Sequence, residues 1–464
     1  MNWYLERMES PYAKAQYVLN PCPGFEEFAS AVESPGRGLF SAGTLTDRVF
    51  TVIGFQLYEV LSGGTMTDRG DVDSDDYPAT FATSGTSGGQ MMITSGGTLY
   101  VYDLAANTLT AIAALSAVNL RQVVYLNNRF IALDAESSAY YWSALNNGAS
   151  WSTGSKAVRS TAADPWISMS VVLGQLWLQG TRTSDVYYPT AIATEPYASI
   201  PGAYLEQGIV GSFASANLDS TLAWLGQNAN GHRVVYRSNG YSPQQISTRA
   251  VEFAIQGYST VADADAFAYQ DQGHYFFVLN FPTADATWVY DTTEQLWHER
   301  GYWNTDTSEF EVYRPNSYCQ AFNKQLVGDR ETGAIYEMSV TEYFDVDGEN
   351  IRRVRRTPFT WDGGNLNRVF YPGMQIDMQT GIGLTDMSTP PQVMLNWSDD
   401  GGLNYPAELM TAASAGALGA SQVRVQFMRL GSSRSRSWQL VCTDEVPWRI
   451  VQAVFRPDPM VGTS

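Results

Sequence analysis

The sequence is poor in cysteine and has no long hydrophobic run. Cys22, Cys319 and Cys442 are far apart and odd in number, which excludes a disulfide framework and a paired cysteine metal motif. This usage indicates synthesis in a reducing compartment. The longest near-apolar stretches, around 109–118 and 166–178, are shorter than the ~20 residues of a membrane helix. We therefore expect no membrane anchor.

Signatures of catalysis and metal binding are also missing. The sequence has no Walker A motif, no nucleotide-binding Gly-rich turn between a strand and a helix, and no G-x-S-x-G nucleophile elbow. His232, His274 and His298 have no second His or Cys at metal-ligand spacing, so we interpret them as turn or packing residues. We expect a protein that is not an enzyme and that carries no cofactor and no metal.

The charge of the chain is strongly acidic and unevenly distributed. The net charge is -19. Residues 1–344 hold 17 basic and 35 acidic groups, whereas residues 345–464 hold 11 basic groups, all of them Arg, and 12 acidic groups. Because affinity for DNA comes mainly from Lys and Arg that neutralise phosphates, this balance excludes an ordinary DNA-binding protein. An acidic wall does suit a conduit along which DNA slides without sticking.

What the sequence does have is many short apolar runs bounded by Gly, Asn, Asp and Pro, together with plentiful Tyr, Thr and Ser. Hairpin-like pairs of these runs recur at roughly 30 to 50 residues, near the ~40-residue spacing of four-stranded propeller blades. The prediction is an all-β fold with an irregular β-propeller-like array of six or seven blades, for which a stacked β-sandwich is the alternative. One short helix is predicted over 248–256, where Gly257 supplies a stop.

The predicted domains follow from a change of pattern near residue 345. Residues 1–40 are predicted to be an N-terminal extended segment and 41–344 to be the propeller-like domain. Residues 345–464 alternate apolar and polar residues as in a C-terminal β-sandwich-like domain. Within 63–89, a segment rich in Thr, Ser, Gly and Asp, we predict a long exposed loop. Its Asp71-x-Asp73-x-Asp75 series lacks the later ligands of a calcium loop, which favours a solvated acidic loop.

One basic cluster interrupts this acidic sequence, in the segment Ile351-Arg-Arg-Val-Arg-Arg356. A strand of this pattern places Arg on both of its faces, so pairing with carboxylates of a neighbouring subunit is the leading interpretation. Contact with DNA phosphates is the alternative. The candidate interface residues are Arg352, Arg353, Arg355 and Arg356.

A second motif, Ser398-Asp-Asp-Gly-Gly-Leu-Asn-Tyr405, resembles the Asp box, S-x-D-x-G-x-T-W. In such a turn the Asp side chain accepts backbone N–H groups and the aromatic residue anchors the hairpin. Asp boxes occur in sialidases, but the box itself does no chemistry there, and no carboxylate pair of a glycosidase stands out. We interpret Ser398, Asp400, Gly402 and Tyr405 as a structural turn.

Several short segments of the sequence resemble those of a known family, the tail accessory or nozzle proteins of short-tailed bacteriophages (podoviruses), also called packaged-DNA stabilisation proteins. They run from the N-terminus to the C-terminal domain and are most specific between about 207 and 340. The resembling segments are Cys22–Phe25, Gln207–Ile209, Leu222–Gly226, His232–Gly240, Gln245–Glu252, Gly273–Tyr290, Trp297–Arg300 and Leu326–Tyr336.

The resemblance implies a structural tail subunit, located in the virion and synthesised in the host cytoplasm. Copies would form a homohexameric ring, the nozzle, below the portal and adaptor proteins. The ring would retain packaged DNA with a plug or needle protein, would allow passage of double-stranded DNA without sequence-specific binding, and would also hold tailspikes or fibres. Two alternatives stay open: a glycan-binding or polysaccharide-depolymerising tail protein, and a cellular propeller that acts as a scaffold.

Overall fold

The structure is a computed structural model, and antiparallel strands form nearly all of its regular secondary structure. It describes residues 1–10, 12–43, 47–84, 89–134, 136–227, 230–362, 367–381, 390–407 and 410–455. The all-β prediction is confirmed. The chain forms two compact units, the terminal unit (Met1–Glu26, His298–Glu311 and Met338–Ser464) and the propeller unit (Glu27–Trp297 and Val312–Glu337).

The N-terminal residues form strands, although the sequence predicts an extended segment over 1–40. Strands β1 (Trp3–Arg7) and β2 (Tyr17–Pro21) pair with each other in a sheet of the terminal unit. Strand β3 (Gly24–Ala29) instead forms the outermost strand of a propeller blade. The division of the chain therefore differs from the predicted one, because strands near the N-terminus find partners that lie hundreds of residues away.

The propeller unit consists of four-stranded blades that follow one another along the chain, and the fifth has its inner strand in two pieces, β20 and β21. A nine-residue helix, α1 (Arg249–Gly257), separates the fifth and sixth blades; the sequence predicts this helix one residue earlier, over 248–256. In the described part of this unit, 3-10 turns also occur at Ala113–Leu115 and Pro282–Ala284. The strands of the first six blades are β4 (Gly36–Ser41), β5 (Val49–Ile53), β6 (Gln56–Val60), β7 (Met66–Asp71); β8 (Thr80–Thr83), β9 (Gln90–Ser95), β10 (Thr98–Asp103), β11 (Thr108–Ala111); β12 (Leu120–Leu126), β13 (Arg129–Asp134), β14 (Ala139–Trp142), β15 (Lys156–Val158); β16 (Trp166–Val172), β17 (Gln175–Gly180), β18 (Ser184–Pro189), β19 (Tyr197–Leu205); β20 (Gly208–Ile209), β21 (Ser215–Leu218), β22 (Thr221–Gln227), β23 (Arg233–Asn239), β24 (Ser242–Gln245); and β25 (Asp265–Asp271), β26 (His274–Phe281), β27 (Ala286–Asp291), β28 (Leu296–Arg300).

The seventh blade in the described part of the chain closes the propeller. Strands β29 (Tyr302–Asn304) and β30 (Glu309–Glu311) form a hairpin of the terminal unit before it. Strands β31 (Pro315–Ala321), β32 (Lys324–Asp329) and β33 (Ile335–Ser339) then build the blade, with β3 as its outermost strand.

Blade closure is supported by packing between the first and last blades. Asn316 of β31 donates a 2.7 Å hydrogen bond from Nδ2 to the carbonyl oxygen of Gly36 in β4. One hydrophobic cluster contains Leu39 and Val49 of the first blade together with Leu326 and Ile335 of the seventh. The propeller is therefore closed by side-chain contacts between the first and seventh blades as well as by β3.

Burial explains why the strands have these sequences. Middle strands are covered on both faces by neighbouring blades, so β22 and β26 are almost continuously apolar and buried. Outer strands face solvent, and the six residues of β7 are all at least partly exposed. This explains why the predicted long exposed loop over 63–89 is wrong: its polar residues include β7 and β8. Residues 85–88 lie outside the described part.

The terminal unit contains two larger antiparallel sheets, ordered β1-β2-β43-β37-β40 and β34-β42-β38-β39. Trp3, Met374 and Ile450 of the first sheet and Val393 and Trp438 of the second belong to one hydrophobic cluster. The predicted sandwich-like domain stays a prediction for this part. The remaining strands are β34 (Arg353–Arg356), β35 (Thr360–Trp361), β36 (Val369–Phe370), β37 (Gly373–Met378), β38 (Gln392–Ser398), β39 (Thr411–Ser414), β40 (Val425–Met428), β41 (Ser432–Ser433), β42 (Ser435–Cys442) and β43 (Ile450–Phe455).

Helices contribute little to either unit. In the part of the chain that the structure describes, none of them has the length and apolar character needed to cross a membrane.

Candidate functional site

The arginine run forms strand β34, which lies at the edge of its sheet and pairs antiparallel with β42. Arg353 is opposite Cys442, and Arg356 is opposite Gln439. On the other side of β34, the Val354 N–H donates to the Met1 carbonyl oxygen at 3.1 Å. The run is therefore held between two backbone neighbours at one end and is open toward Arg356.

Arg353 is fully buried, with 0% of its surface exposed. Its Nη1 lies 3.3 Å from the Ile351 carbonyl oxygen, while Nε and Nη2 have no hydrogen-bond partner among the described residues. Burial lowers the pKa of this guanidinium. The sequence predicts that Arg353 contacts a neighbouring subunit. This contact is not available to Arg353, because its side chain is buried inside the terminal unit where β34 pairs with β42.

The other three arginines are accessible to different degrees. Arg352 is partly buried, and its guanidinium carbon lies 4.3 Å from the centre of the Trp303 ring. Burial lowers the pKa of the Arg352 side chain. Arg355 and Arg356 are exposed. The predicted interface role stays a prediction for these three residues.

Arg356 connects the two motifs that the sequence treats as separate. Its Nε donates to Gln439 Oε1 at 2.8 Å, and its guanidinium carbon lies 4.4 Å from the centre of the Tyr405 ring. Gln439 Nε2 in turn donates to Asn396 Oδ1 at 3.1 Å. The arginine strand and the Asp-box-like turn are thus parts of one surface.

The four predicted turn residues lie in one hydrogen-bonded segment that begins at Ser398, the last residue of β38. Asp400 Oδ1 accepts the backbone N–H groups of Leu403 and Asn404, both at 3.1 Å. Ser398 Oγ accepts the Gly402 N–H at 2.9 Å, and Tyr405 Oη lies 2.8 Å from Ser437 Oγ.

These contacts also set the charge state of the turn. Hydrogen bonds from the Ser398 hydroxyl and the Asn404 side chain lower the pKa of Asp400 from 3.8 to about 2. The carboxylate is therefore ionised at any ordinary pH. These hydrogen bonds order the backbone of the turn, as expected of a structural element.

Gly402 fits a position that other residues would strain. Its φ is +84°, in the region that favours glycine. A Cβ at this position would lie 3.4 Å from Phe359 Cζ and 3.7 Å from Tyr405 Oη. Phe359, the turn and Arg356 are consequently neighbours.

Sequence reasoning missed an ion pair beside this turn. Asp399 Oδ1 and Oδ2 each accept a 2.7 Å hydrogen bond from the Arg436 guanidinium. Arg436 is 3% exposed and lies over the rings of Trp397, Trp438 and Tyr371 at 4.7, 5.0 and 5.1 Å. The motif has two consecutive Asp residues, whereas the Asp box requires only the second. The additional residue, Asp399, was therefore a sequence signal for a further contact.

Three apolar side chains in the turn, in β35 and between β34 and β35 are also exposed. Phe359 is 45% exposed, Trp361 of β35 is 52% exposed, and Leu403 at the tip of the turn is 82% exposed. We name Arg355, Arg356, Phe359, Trp361 and Leu403 the arginine–aromatic patch; Arg355 and Arg356 extend from opposite faces of β34 at the edge of its sheet. All five belong to the terminal unit.

The acidic residues near the first blade are held by an internal contact. Arg37 is 6% exposed, pairs with Asp75, and donates to the Asp73 carbonyl oxygen at 3.1 Å. Asp73 Oδ2 accepts from Thr98 Oγ1 at 2.6 Å. Among the residues that the structure describes, no group of three or more His, Cys, Asp or Glu is arranged to hold a metal ion.

The histidines take different local roles. His274 and Asp291 are both buried, with 2.6 Å between Nδ1 and Oδ2 across the β26–β27 pair. His298 Nε2 accepts a 3.3 Å hydrogen bond from Arg300 Nε. His232 follows the fifth blade's β22 and is exposed.

The axis of the propeller is bridged by side chains from blades that are not neighbours. Tyr77, which precedes the second blade, lies against Phe213 of the fifth blade, with 6.2 Å between ring centres. Arg121 of the third blade lies 3.8 Å over the Tyr77 ring. Gln122 donates to the Ser212 carbonyl oxygen at 2.8 Å. One end of the axis is therefore filled.

Solved structures with a similar arrangement are distant in sequence. Virginiamycin B lyase from Staphylococcus aureus is 8% identical with a TM-score of 0.45, covering 68% of this chain and 98% of that chain. The Cps50 (Swd1) beta-propeller domain from Myceliophteria thermophila is 8% identical with a TM-score of 0.44, covering 68% and 99%. YCF48 from Cyanidioschyzon merolae is 11% identical with a TM-score of 0.42, again covering 68% and 99%. At these scores the likenesses carry no argument about function.

A comparison with curated protein sequences finds no match. A family model described as "Bacteriophage P22 Gp10, beta-propeller" matches residues 4–343, which spans all seven described blades. The chain therefore belongs to this family of bacteriophage packaged-DNA stabilisation proteins, which are structural proteins of the virion.

Proposed function

We propose that the chain is a structural subunit of a phage tail and that its copies form a ring, the nozzle, below the portal and adaptor. The ring retains packaged DNA and later provides the channel for its ejection. The observation that carries this proposal is the family match over residues 4–343. Copies number six, as the resemblance implies, and the subunit works through shape and association without catalysis.

The filled propeller axis supports a passage made by several copies. The major groove of duplex DNA alone is about 12 Å wide. A duplex cannot pass where Tyr77 and Phe213 lie 6.2 Å apart across the axis. Any passage that this protein offers to DNA therefore lies outside the single propeller, and enclosing it requires more than one subunit.

The charge of the propeller unit also supports a conduit. This unit holds 27 acidic and 14 basic residues, which gives a net charge of -13. A surface of this sign repels phosphates and keeps DNA from adhering. A plug or needle protein then closes the channel, tailspikes or fibres attach outside, and synthesis takes place in the host cytoplasm.

Electron cryo-microscopy and mass spectrometry of tails from the phage that encodes this chain test the proposal. We expect six copies around the tail axis, below the portal and adaptor, with no duplex density inside a propeller. Particles from a strain that lacks the gene should lose packaged DNA. Tails that lack the chain, or a single copy away from the axis, would contradict the proposal.

A further inference from the structure

We propose that the arginine–aromatic patch of one copy binds the acidic propeller unit of a second copy. This inference rests on the proposed ring and deepens it, because it assigns one of the two faces through which neighbouring subunits meet. In a closed ring the two faces differ, since each subunit contacts its neighbours head to tail. The patch fits one face and the propeller unit the other.

The arginines of the run carry charge that no carboxylate of the described residues compensates. Arg352, Arg353, Arg355 and Arg356 form no ion pair with any carboxylate of the described residues. Arginines of the propeller unit behave differently. Most of those in the propeller unit contact a carboxylate within their own unit, namely Arg37, Arg48, Arg69, Arg159, Arg237, Arg249, Arg314 and Arg330.

This contrast matters because acidic groups are abundant in the chain. With 47 acidic residues and 28 basic ones, an unpaired run of four arginines is not explained by a shortage of carboxylates. Guanidinium groups at interfaces pair with carboxylates in a bidentate manner and are enriched there. The exposed members, Arg355 and Arg356, therefore have charge available for an acidic partner.

The apolar side chains of the patch also indicate a protein partner. Phe359, Trp361 and Leu403 are between 45% and 82% exposed, and Phe359 lies close to Gly402 of the turn. Protein interfaces combine aromatic residues with Arg and are poor in Lys, and none of the chain's Lys14, Lys156 and Lys324 lies in this patch. Contacts to duplex DNA are more polar and use phosphates. The mixture favours a protein partner over DNA.

The patch of one copy and the propeller unit of another copy are complementary in charge. The terminal unit holds 20 acidic and 14 basic residues, for a net charge of -6, whereas the propeller unit has -13. The propeller unit of a neighbouring copy is thus a large anionic surface that is present at equal concentration in any ring. Juxtaposing the patch with it lowers the electrostatic energy and covers the apolar side chains.

A photo-crosslinker identifies the partner directly. We would replace Phe359 by p-benzoylphenylalanine in the full-length chain, irradiate the assembled protein, and sequence the linked peptides by mass spectrometry. We expect links to residues of the propeller unit in a second copy, distinguished from internal links by mixing isotope-labelled and unlabelled chains. Links only within one copy, or only to DNA in filled particles, would overturn the assignment.

Charge reversal gives the energetic test. The R355E/R356E chain is compared with R368E/R424E, which makes the same change of charge at two exposed arginines of the terminal unit that lie outside the patch. We expect self-association in sedimentation velocity to weaken at least about tenfold for R355E/R356E, and raised salt to weaken the unaltered chain in the same direction. The control should associate normally.

A second variant covers the possibility of misfolding. F359S/L403S keeps every arginine and alters only exposed side chains, so its circular dichroism should match that of the unaltered chain while its association weakens. Normal association of both variants would overturn the patch assignment and leave the ring intact. An unaltered chain that is monomeric both alone and in tails would instead overturn the proposed function. Loss of duplex-DNA binding with normal association would assign the patch to DNA and overturn our proposal.

Discussion

Arg436 holds Asp399 through two hydrogen bonds of 2.7 Å each, and the two partners differ sharply in exposure, at 3% for Arg436 and 45% for Asp399. The guanidinium is enclosed by Trp397, Trp438 and Tyr371 and also donates to the Leu430 carbonyl oxygen. One buried cation thus joins the exposed Asp-box-like turn to the aromatic core of the terminal unit.

Replacing Arg436 by Lys should destabilise the protein by about 2 kcal/mol, because Lys retains the charge but loses the bidentate geometry and the stacking on three rings. The same substitution at Arg434, which is exposed two residues earlier, is the control and should stay within about 0.5 kcal/mol. Urea unfolding followed by tryptophan fluorescence measures both. Equal effects of the two substitutions would contradict the assignment.

The Asp-box-like turn should resist acid. Hydrogen bonding lowers the pKa of Asp400 to about 2 in the folded protein, whereas an unfolded Asp titrates at about 3.9. A lowered folded pKa means that the contribution to stability is present above about pH 4 and is lost as the pH falls toward 2. Carboxyl carbon shifts recorded against pH should place the Asp400 midpoint near 2, and the D400N protein should lack that step. A midpoint near 4 would refute the geometry.

Gly208 should tolerate no side chain where the fourth and fifth blades meet. A Cβ there would lie 2.3 Å from the backbone of Thr181 and Arg182. G208A should therefore cost roughly 3 kcal/mol of unfolding free energy through overpacking. G257A is the matched control and should change stability little, because no described atom outside the chain neighbours and the backbone of α1 lies within 4 Å of the added carbon. Calorimetric melting of both proteins checks this, and an unshifted G208A transition would rule out the close approach.

Two buried glutamines should respond oppositely to the same substitution. Gln122 is 6% exposed and uses both ends of its amide, toward Ser212 and Met169. Gln179 is 0% exposed, and neither its Nε2 nor its Oε1 has a hydrogen-bond partner in the described residues. Q122M should destabilise by about 2 kcal/mol, whereas Q179M should be neutral or stabilise by about 1 kcal/mol. Denaturation midpoints decide, and a large loss for Q179M would contradict the prediction.

Much of the propeller could be predicted because its hairpins are local. Strands β22 and β26 are apolar runs next to turn residues, so the sequence alone indicates both the strands and their spacing. The blade number could not be fixed, since β3 completes the seventh blade from the other end of the described chain. Periodicity carries no information about such distant pairs.

The candidate site was predictable in part. The arginine run and the Asp-box-like turn were visible as motifs, but their meeting through Arg356 and Tyr405 depends on the pairing of β34 with β42. Alternation along β34 predicts that arginines point both ways, and it does not tell which one is buried. Arg353 is buried because it faces Cys442, a pairing that spans about 90 residues of chain.

The closure by β3 sets an order of events during synthesis. Residues 24–29 are synthesised about 300 residues before their partner strand at 335–339. At about 5 to 20 residues per second, β3 waits roughly 15 to 60 s before it can pair. During that interval six blades can form while the seventh lacks its outermost strand. A nascent chain halted before residue 335 should therefore expose an unpaired edge, which is the stage at which aggregation or capture by chaperones competes with folding.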